Sequence, residues 1–370
     1  MTIDIPTISL APCFASDGHS DSSAKRALAR RIDEVCTSSG FLLVREHGLN
    51  LKVLDDAFAL SSGFFDCEQV FKDRWHPTTA GIQRGYHGYE TRALAATLGN
   101  DTPPDMRESF FLGPLDDHLA AVGDLPGASA TYAANIYPYF AADLAGDSAG
   151  DPGDRLGDDP SDRYSPQTRG DSASGALAGF SPALMALYRE FESLSANLLR
   201  LMAIALGAPE DYFDAKIAHH FSILASHFYP PPTVSPKSGQ LRTGEHTDFG
   251  AFTILAMTAG AGGLEVRMPN GEWRGVQAQA GELVVNLGDM MARWTNDRWV
   301  STLHRVANPA ASDFRRARRQ SIGYFMHPDY DARVECIPSV LAPGTQAKYP
   351  VITAGEHIRS KIVRSHGDAN

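Results

Sequence analysis

Residues 244–255 read G-E-H-T-D-F-G-A-F-T-I-L, and they sit inside a series of short runs with a period of two. Before them comes S-I-L-A-S-H-F-Y-P-P-P (222–232). After them come A-F-T-I-L-A-M-T, G-L-E-V-R, E-W-R-G-V, E-L-V-V-N-L-G-D, S-T-L-H-R-V and R-Q-S-I-G-Y-F-M. The runs are rich in β-branched and aromatic residues, and turn signals such as P-N-G-E (269–272) and Q-A-G-E (279–282) separate them. With the H-T-D segment they make eight closely spaced strands, which predicts a mainly β fold: a two-sheet sandwich of the jelly-roll kind with flanking helices.

Upstream of that series, residues 181–207 alternate with helical periodicity through Leu184, Leu187, Phe191, Leu194, Leu198, Leu201 and Ala205. Ser181 is placed as N-cap, Pro182 as the first helical residue and Gly207 as the stop, and the helix is expected to lie across a sheet. The N-terminal quarter reads as strand (D-I-P-T-I-S-L), helix from Ala24, strand (F-L-L-V-R-E-H-G-L) and helix from Leu51 to about Lys72. Leu28, Ile32 and Val35 form the buried stripe of the first helix. Residues 81–114 look irregular, a mix of aromatic, basic and glycine residues of the sort that lines pockets. A short helix (354–364) closes the chain. The expected organisation is an N-terminal α/β region (1–140), an insertion (141–178), and the long helix with the jelly-roll core and final helix (179–370).

Composition narrows the class. The net charge of −11 argues against a nucleic-acid partner. No apolar run approaches the roughly 18 residues of a membrane span. The first residues do not resemble a signal peptide. Cys13, Cys36, Cys67 and Cys336 are scattered, which argues against disulfides and zinc ribbons and for a reducing cytoplasm. The 141–178 stretch holds eight Asp and three Arg with few large apolar residues, so it reads as a mobile insertion. It lacks the register and closing Glu of a calcium loop.

Chemistry concentrates around His246, Asp248 and His304. A strand alternates faces, so His246 and Asp248 point the same way, and His304 on a neighbouring strand completes a set of two imidazoles and one carboxylate. That ligand set holds a ferrous ion on one face and leaves the other open. A His-x-Asp pair alone means little among thirteen histidines. Its company adds weight. Arg319 and Ser321, fifteen and seventeen residues past His304, share one strand face, and Tyr229 ends another strand. Together they make a fork and hydroxyl donors for a carboxylate, as a 2-oxo acid chelating the iron requires.

The runs R-T-G-E-H-T-D-F-G-A-F-T-I-L, G-E-L-V-V-N-L-G-D-M, S-T-L-H-R-V and R-R-Q-S-I-G-Y-F, with I-P-T-I-S-L, G-F-L-L-V-R-E-H-G-L, G-Y-H-G-Y-E and R-E-S-F-F-L-G-P, resemble the isopenicillin N synthase-like branch of the iron(II)/2-oxoglutarate-dependent dioxygenases. The likeness covers nearly the whole chain outside 141–178. It implies a distorted jelly roll (double-stranded β-helix), with His246, Asp248 and His304 as iron ligands and Arg319, Ser321 and Tyr229 holding 2-oxoglutarate. His227 departs from the Asn that many plant relatives carry there. Arg84, Tyr86 and Phe325 are the implied substrate contacts, Arg107 a structural partner of Glu108, and Phe249, Leu255, Val306 and Phe325 an apolar surround.

The implied reaction couples O2 and 2-oxoglutarate decarboxylation to succinate and CO2 with hydroxylation, desaturation or cyclisation of an unactivated C–H bond in a small secondary metabolite. Alternatives are a 2-oxoglutarate-independent iron oxidase, ethylene formation from 2-oxoglutarate, and a cupin-like binding protein. The protein is expected to act as a monomer or weak homo-oligomer.

Overall fold

The computed structural model describes residues 5–14, 22–79, 81–138, 177, 179–258 and 262–365. Fourteen strands are formed among them. They are β1 (Thr7–Ser9), β2 (Phe41–Arg45), β3 (Gly85–His87), β4 (Glu108–Leu112), β5 (Ile223–Tyr229), β6 (Thr243–His246) and β7 (Phe252–Met257), followed by β8 (Leu264–Arg267), β9 (Trp273–Gly275), β10 (Leu283–Leu287), β11 (His304–Val306), β12 (Arg319–Met326), β13 (Arg333–Val334) and β14 (Ile352–Thr353). A major sheet runs β1-β2-β10-β7-β12-β5-β4-β3, and a minor sheet runs β6-β11-β8-β9. The eight period-two runs are β5 to β12, paired into two sheets. That is the jelly-roll architecture.

Alternation along the major sheet sorts its side chains into two environments. Leu42, Val44, Phe110, Leu224, Phe228, Ile254, Val285, Ile322 and Tyr324 face outward into one apolar core with the long helix. That helix, Phe180–Ala205, buries Leu184, Leu187, Phe191, Leu194 and Leu198 along one stripe. The helices Ser22–Ser38 and Leu51–Phe65 pack on it in turn. Phe64 anchors this layer, stacked on Phe180 at 4.7 Å and edge-on to Phe110 at 5.2 Å.

The inner face changes character along the sheet. Near β2 and β10 it is apolar: Phe41, Leu43 and Val284 meet Leu264 and Val266 of the minor sheet. Toward β12, β5, β4 and β3 the inward positions become Arg319, Ser321, His227, Tyr229, Ser109 and His87, all buried. Burying that many polar groups is costly unless they have partners or ligands. The polar end is where a site belongs.

Several expectations need correction. The 81–114 stretch is not wholly irregular, because β3 and β4 extend the major sheet to its far edge. Glu108–Leu112 is buried at every position, so it lacks the alternation that reveals a half-buried strand. The second helix ends at Phe65 and a separate turn of helix spans Gln69–Asp73. The long helix starts at Phe180, one residue before the expected cap, with Gly179 as N-cap at φ 95°. The 141–178 stretch lies outside the described residues, apart from Leu177. Among the described residues no helix is long and apolar enough to cross a membrane, and all four cysteines are free.

Candidate active site

His246 and His304 are register partners across the antiparallel β6–β11 pair, with ring centroids 4.2 Å apart. The Nε2 atoms of both lie 3.7 Å from Oδ1 of Asp248. All three are buried, and their ligand atoms fall within 4.8 Å of one another. Asp248 sits two residues past the last paired residue of β6, so its alignment with His246 comes from the turn rather than the strand. Arg305, between His304 and Val306, points the other way and pairs with Glu245 and Glu265.

Each donor has a set orientation. Nδ1 of His246 is 2.8 Å from the Gly244 carbonyl, and Nδ1 of His304 is 3.0 Å from the Thr302 carbonyl. A carbonyl oxygen only accepts, so Nδ1 carries the hydrogen and Nε2 presents its lone pair inward. Burial and the adjacent His304 push the His246 imidazole down to about 3, so it stays neutral at physiological pH. Asp248 receives hydrogen bonds at Oδ2 from Thr253 Oγ1 and Asn286 Nδ2, both at 2.6 Å. Its carboxyl titrates below the usual range: burial opposes ionisation, and the two histidines and these two hydrogen bonds outweigh it. Oδ1 is left facing the imidazoles. Two lone-pair nitrogens and one carboxylate oxygen converging in a buried space fit a ferrous ion, with outer partners that hold each ligand in place.

The turn carrying Asp248 is clamped by backbone. The Asp289 N–H donates to the Asp248 carbonyl at 2.8 Å and the Gly288 N–H to the Ala251 carbonyl at 2.9 Å. A Cβ on Gly288 would lie 2.3 Å from the Gly250 carbonyl oxygen, so the chains approach that closely only because residue 288 is glycine. The Asp289 carboxylate accepts from Ser301 and Thr247 and pairs with Lys361 of the C-terminal helix (Ala354–Ser365).

Next to the triad, β12 and β5 bring Arg319 opposite Tyr229 and Ser321 opposite His227. The Arg319 guanidinium lies 4.5 Å from the centre of the Tyr229 ring and donates to Ser321 Oγ at 3.1 Å and to the Gly262 carbonyl at 3.0 Å. It is 1% exposed, and the charged neighbours acting on it among the described residues are Tyr229 and Arg107, with no carboxylate among them. A buried arginine without an anion is a strong sign of an anionic ligand. Burial alone would push the Tyr229 phenol up, but the charges of Arg319 and Arg107 bring it below its ordinary value. Its hydroxyl is 3.3 Å from Thr243 Oγ1.

The substrate side differs from expectation. Arg84 and Tyr86 lie on the outer face of the major sheet. Arg84 donates to the carbonyls of Gln83, Thr131 and Ala133, and Tyr86 donates to Glu108, which also pairs with buried Lys72 at 2.6 Å. Their parity along β3 turns them away from the triad, so they build the core rather than touch substrate. Glu108 faces the same way, and Arg107 pairs instead with Asp105 at 3.6 Å.

Phe325 is on the inner face, 6.5 Å from the His227 ring. Leu255 and Val306 also face inward, whereas Phe249 packs beneath Lys361. His227 bonds Ser109 Oγ at 2.8 Å, and burial with the nearby arginines holds it neutral. Sequence reasoning missed Thr253 and Asn286, register partners on β7 and β10. A polar residue inside an otherwise apolar run such as L-V-V-N-L was the available signal.

Residues 220–328 match the 2OG-Fe(II) oxygenase superfamily, and residues 5–138 match the N-terminal region of the non-haem dioxygenases in morphine synthesis. A 2-oxoglutarate-Fe(II) type oxidoreductase of Emericella nidulans is 27% identical over 98% of this chain and 91% of its own length. The validamycin A dioxygenase of Streptomyces hygroscopicus is 27% identical over 98% of this chain and 87% of its own. Among solved structures, Neurospora crassa T7H in complex with alpha-KG superposes with a TM-score of 0.72 at 25% identity, covering 97% of this chain and 96% of that one. These matches join the jelly roll to its buried His-Asp-His cluster, and the chain belongs to the iron(II)/2-oxoglutarate-dependent dioxygenases.

Proposed function

We propose that His246, Asp248 and His304 hold the ferrous ion, that Arg319, Ser321 and Tyr229 hold the far carboxylate of 2-oxoglutarate, and that the enzyme hydroxylates an unactivated C–H bond of a small metabolite. The observation that carries this reading is the fully buried Arg319 without a carboxylate partner, on the inner face of the major sheet, which looks toward the minor sheet that carries His246 and His304. Iron, 2-oxoglutarate and O2 together supply the oxidising power, with succinate and CO2 as by-products.

The chain's own residues bind, orient and exclude water. The Gly244 and Thr302 carbonyls fix both imidazole tautomers. Thr253 and Asn286 leave Asp248 one free oxygen. Arg319 offers a planar fork, with the Ser321 hydroxyl already turned toward it. Leu255, Val306 and Phe325 supply an apolar surround near the open side, which limits water at the reacting centre. Free cysteines and the net charge of −11 support a cytoplasmic enzyme, acting as a monomer or weak homo-oligomer on a small molecule.

The test is succinate release from 2-oxoglutarate by iron-loaded protein, with and without candidate metabolites. Turnover that is equal in wild type and Arg319→Ala would sink the fork assignment. Substrate oxidation without 2-oxoglutarate consumption would move the enzyme to the iron-oxidase reading.

A further inference from the structure

The β3–β4 edge and the loop joining those strands line a narrow cleft with His87, Thr91, Arg92, Asp105, Arg107 and Ser109. It adjoins the triad. Ser109 is bonded to His227, Asp105 accepts from the Gly244 N–H at 2.9 Å, and Arg107 is near enough to act electrostatically on His246, His227, Tyr229 and Arg319.

Arg92 and Arg107 are unlike the arginines elsewhere in the fold. Arg319 donates three hydrogen bonds and Arg84 another three. Among the described residues the guanidiniums of Arg92 and Arg107 donate none, and their one ionic contact is Arg107 to Asp105. Asp105 is already engaged by the Gly244 and Leu94 N–H groups, so it does not neutralise both. Arg92 lies over the Phe111 ring, its guanidinium carbon 5.4 Å from the centre, which gives the cation a flat backing. His87 is 6% exposed and its Nε2 has no hydrogen-bond partner. Burial and the Arg92 charge keep that ring neutral, so it offers a lone pair or a single N–H.

Charge settles the ligand class. The ferrous ion is balanced by Asp248 and the near carboxylate of 2-oxoglutarate, and Arg319 by the far one. The cleft then keeps two guanidiniums against one carboxylate, an excess of one positive charge beside the open side of the site. Both guanidiniums are partly buried and donate no hydrogen bond, so an anion that meets them gains charge-assisted contacts that nothing else in the cleft supplies. We infer that this cleft binds a carboxylate of the primary substrate between Arg92 and Arg107, with His87 as a second polar contact, so that the enzyme oxidises a small carboxylic acid. This rests on the function proposed above, since saturating 2-oxoglutarate must occupy Arg319 first.

The test uses anaerobic protein loaded with Fe(II) and saturating 2-oxoglutarate, titrated by calorimetry with benzoate, phenylacetate and hexanoate, with the amide of each, and with phenyl phosphate. At least one acid is expected to bind about tenfold or more tightly than its amide, and Arg92→Gln to erase that preference while Arg92→Lys keeps part of it. Equal affinity for acid and amide, binding by neither, a preference for the phosphate, or an unchanged preference in Arg92→Gln would each overturn the inference. Titration with 2-oxoglutarate separates the two proposals. Loss of its binding in Arg319→Ala but not in Arg92→Gln is the expected pattern. No loss in Arg319→Ala would refute the fork alone, and a loss in Arg92→Gln equal to that in Arg319→Ala would refute the separate cleft.

Discussion

Asn286 on β10 donates a 2.6 Å hydrogen bond from Nδ2 to Oδ2 of Asp248, a contact spanning from the centre of the major sheet to the turn after β6. Thr253, its register partner on β7, donates to the same oxygen. One oxygen of the carboxylate is thereby taken up by structure, and the other is left facing the two imidazoles. Asn286→Ala is predicted to weaken Fe(II) binding by roughly 10–100-fold, the range found for outer partners of metal ligands. Anaerobic Fe(II) titration measures this, and an unchanged dissociation constant would show that Asp248 needs no such support.

Arg319→Ala is predicted to raise the dissociation constant for 2-oxoglutarate by about thirtyfold or more, the equivalent of about 2 kcal/mol for truncating one side of a buried charge pair. Arg319→Lys keeps the charge but not the fork, so it should fall between wild type and alanine. A lysine variant as tight as wild type would mean that charge alone is read.

Arg84 and Tyr86 belong to the core, so their variants should report on folding. Breaking a buried ion pair costs roughly 3–5 kcal/mol, and Lys72→Met, which leaves Glu108 with only the Tyr86 hydroxyl, should approach that value in urea unfolding. Arg84→Met should also lower the midpoint by leaving the Thr131 and Ala133 carbonyls without a donor. Neither change should alter KM for substrate in the folded fraction. A selective rise in KM for Arg84→Met would return it to the substrate site.

Acid should destabilise the metal-free protein well above the carboxylate range. His87, His246 and His327 are held down to about 3 and His357 to about 4, mainly by burial. The unfolded chain binds protons on these rings near pH 6.5 while the folded chain resists, so stability is full above about 6.5 and falls toward pH 3. Each ring contributes a slope of up to about 1.4 kcal/mol per pH unit in that window. Urea midpoints at pH 7 and pH 5 decide it, and equal midpoints would contradict the buried neutral state.

Much of this architecture can be read from the chain itself, because the runs that become β5 to β12 are short, rich in β-branched and aromatic residues and set apart by turn residues. The triad and the fork follow, since two-residue spacings on one face survive folding even where Asp248 leaves the strand. The substrate side is harder. Glu108–Leu112 is buried throughout and Gly85–His87 is three residues long, so neither shows a period. Without those strands, nothing in G-Y-H-G-Y says that Tyr86 faces the helix and His87 faces the triad. Asn286 and Thr253 are similarly hidden, because their partnership depends on cross-strand register.

The edge position of β3 has an evolutionary consequence. The residues proposed to hold metal and 2-oxoglutarate come from β5, β6, β11 and β12 and the turn after β6, a turn clamped to the strands around it by backbone hydrogen bonds. The cleft comes from β3, β4 and the loop between them, at a sheet margin with no strand beyond. A lineage is thus free to rewrite residues 87–107, insert into that loop or exchange its arginines, and so take up new substrates, while the oxidising half of the enzyme stays intact.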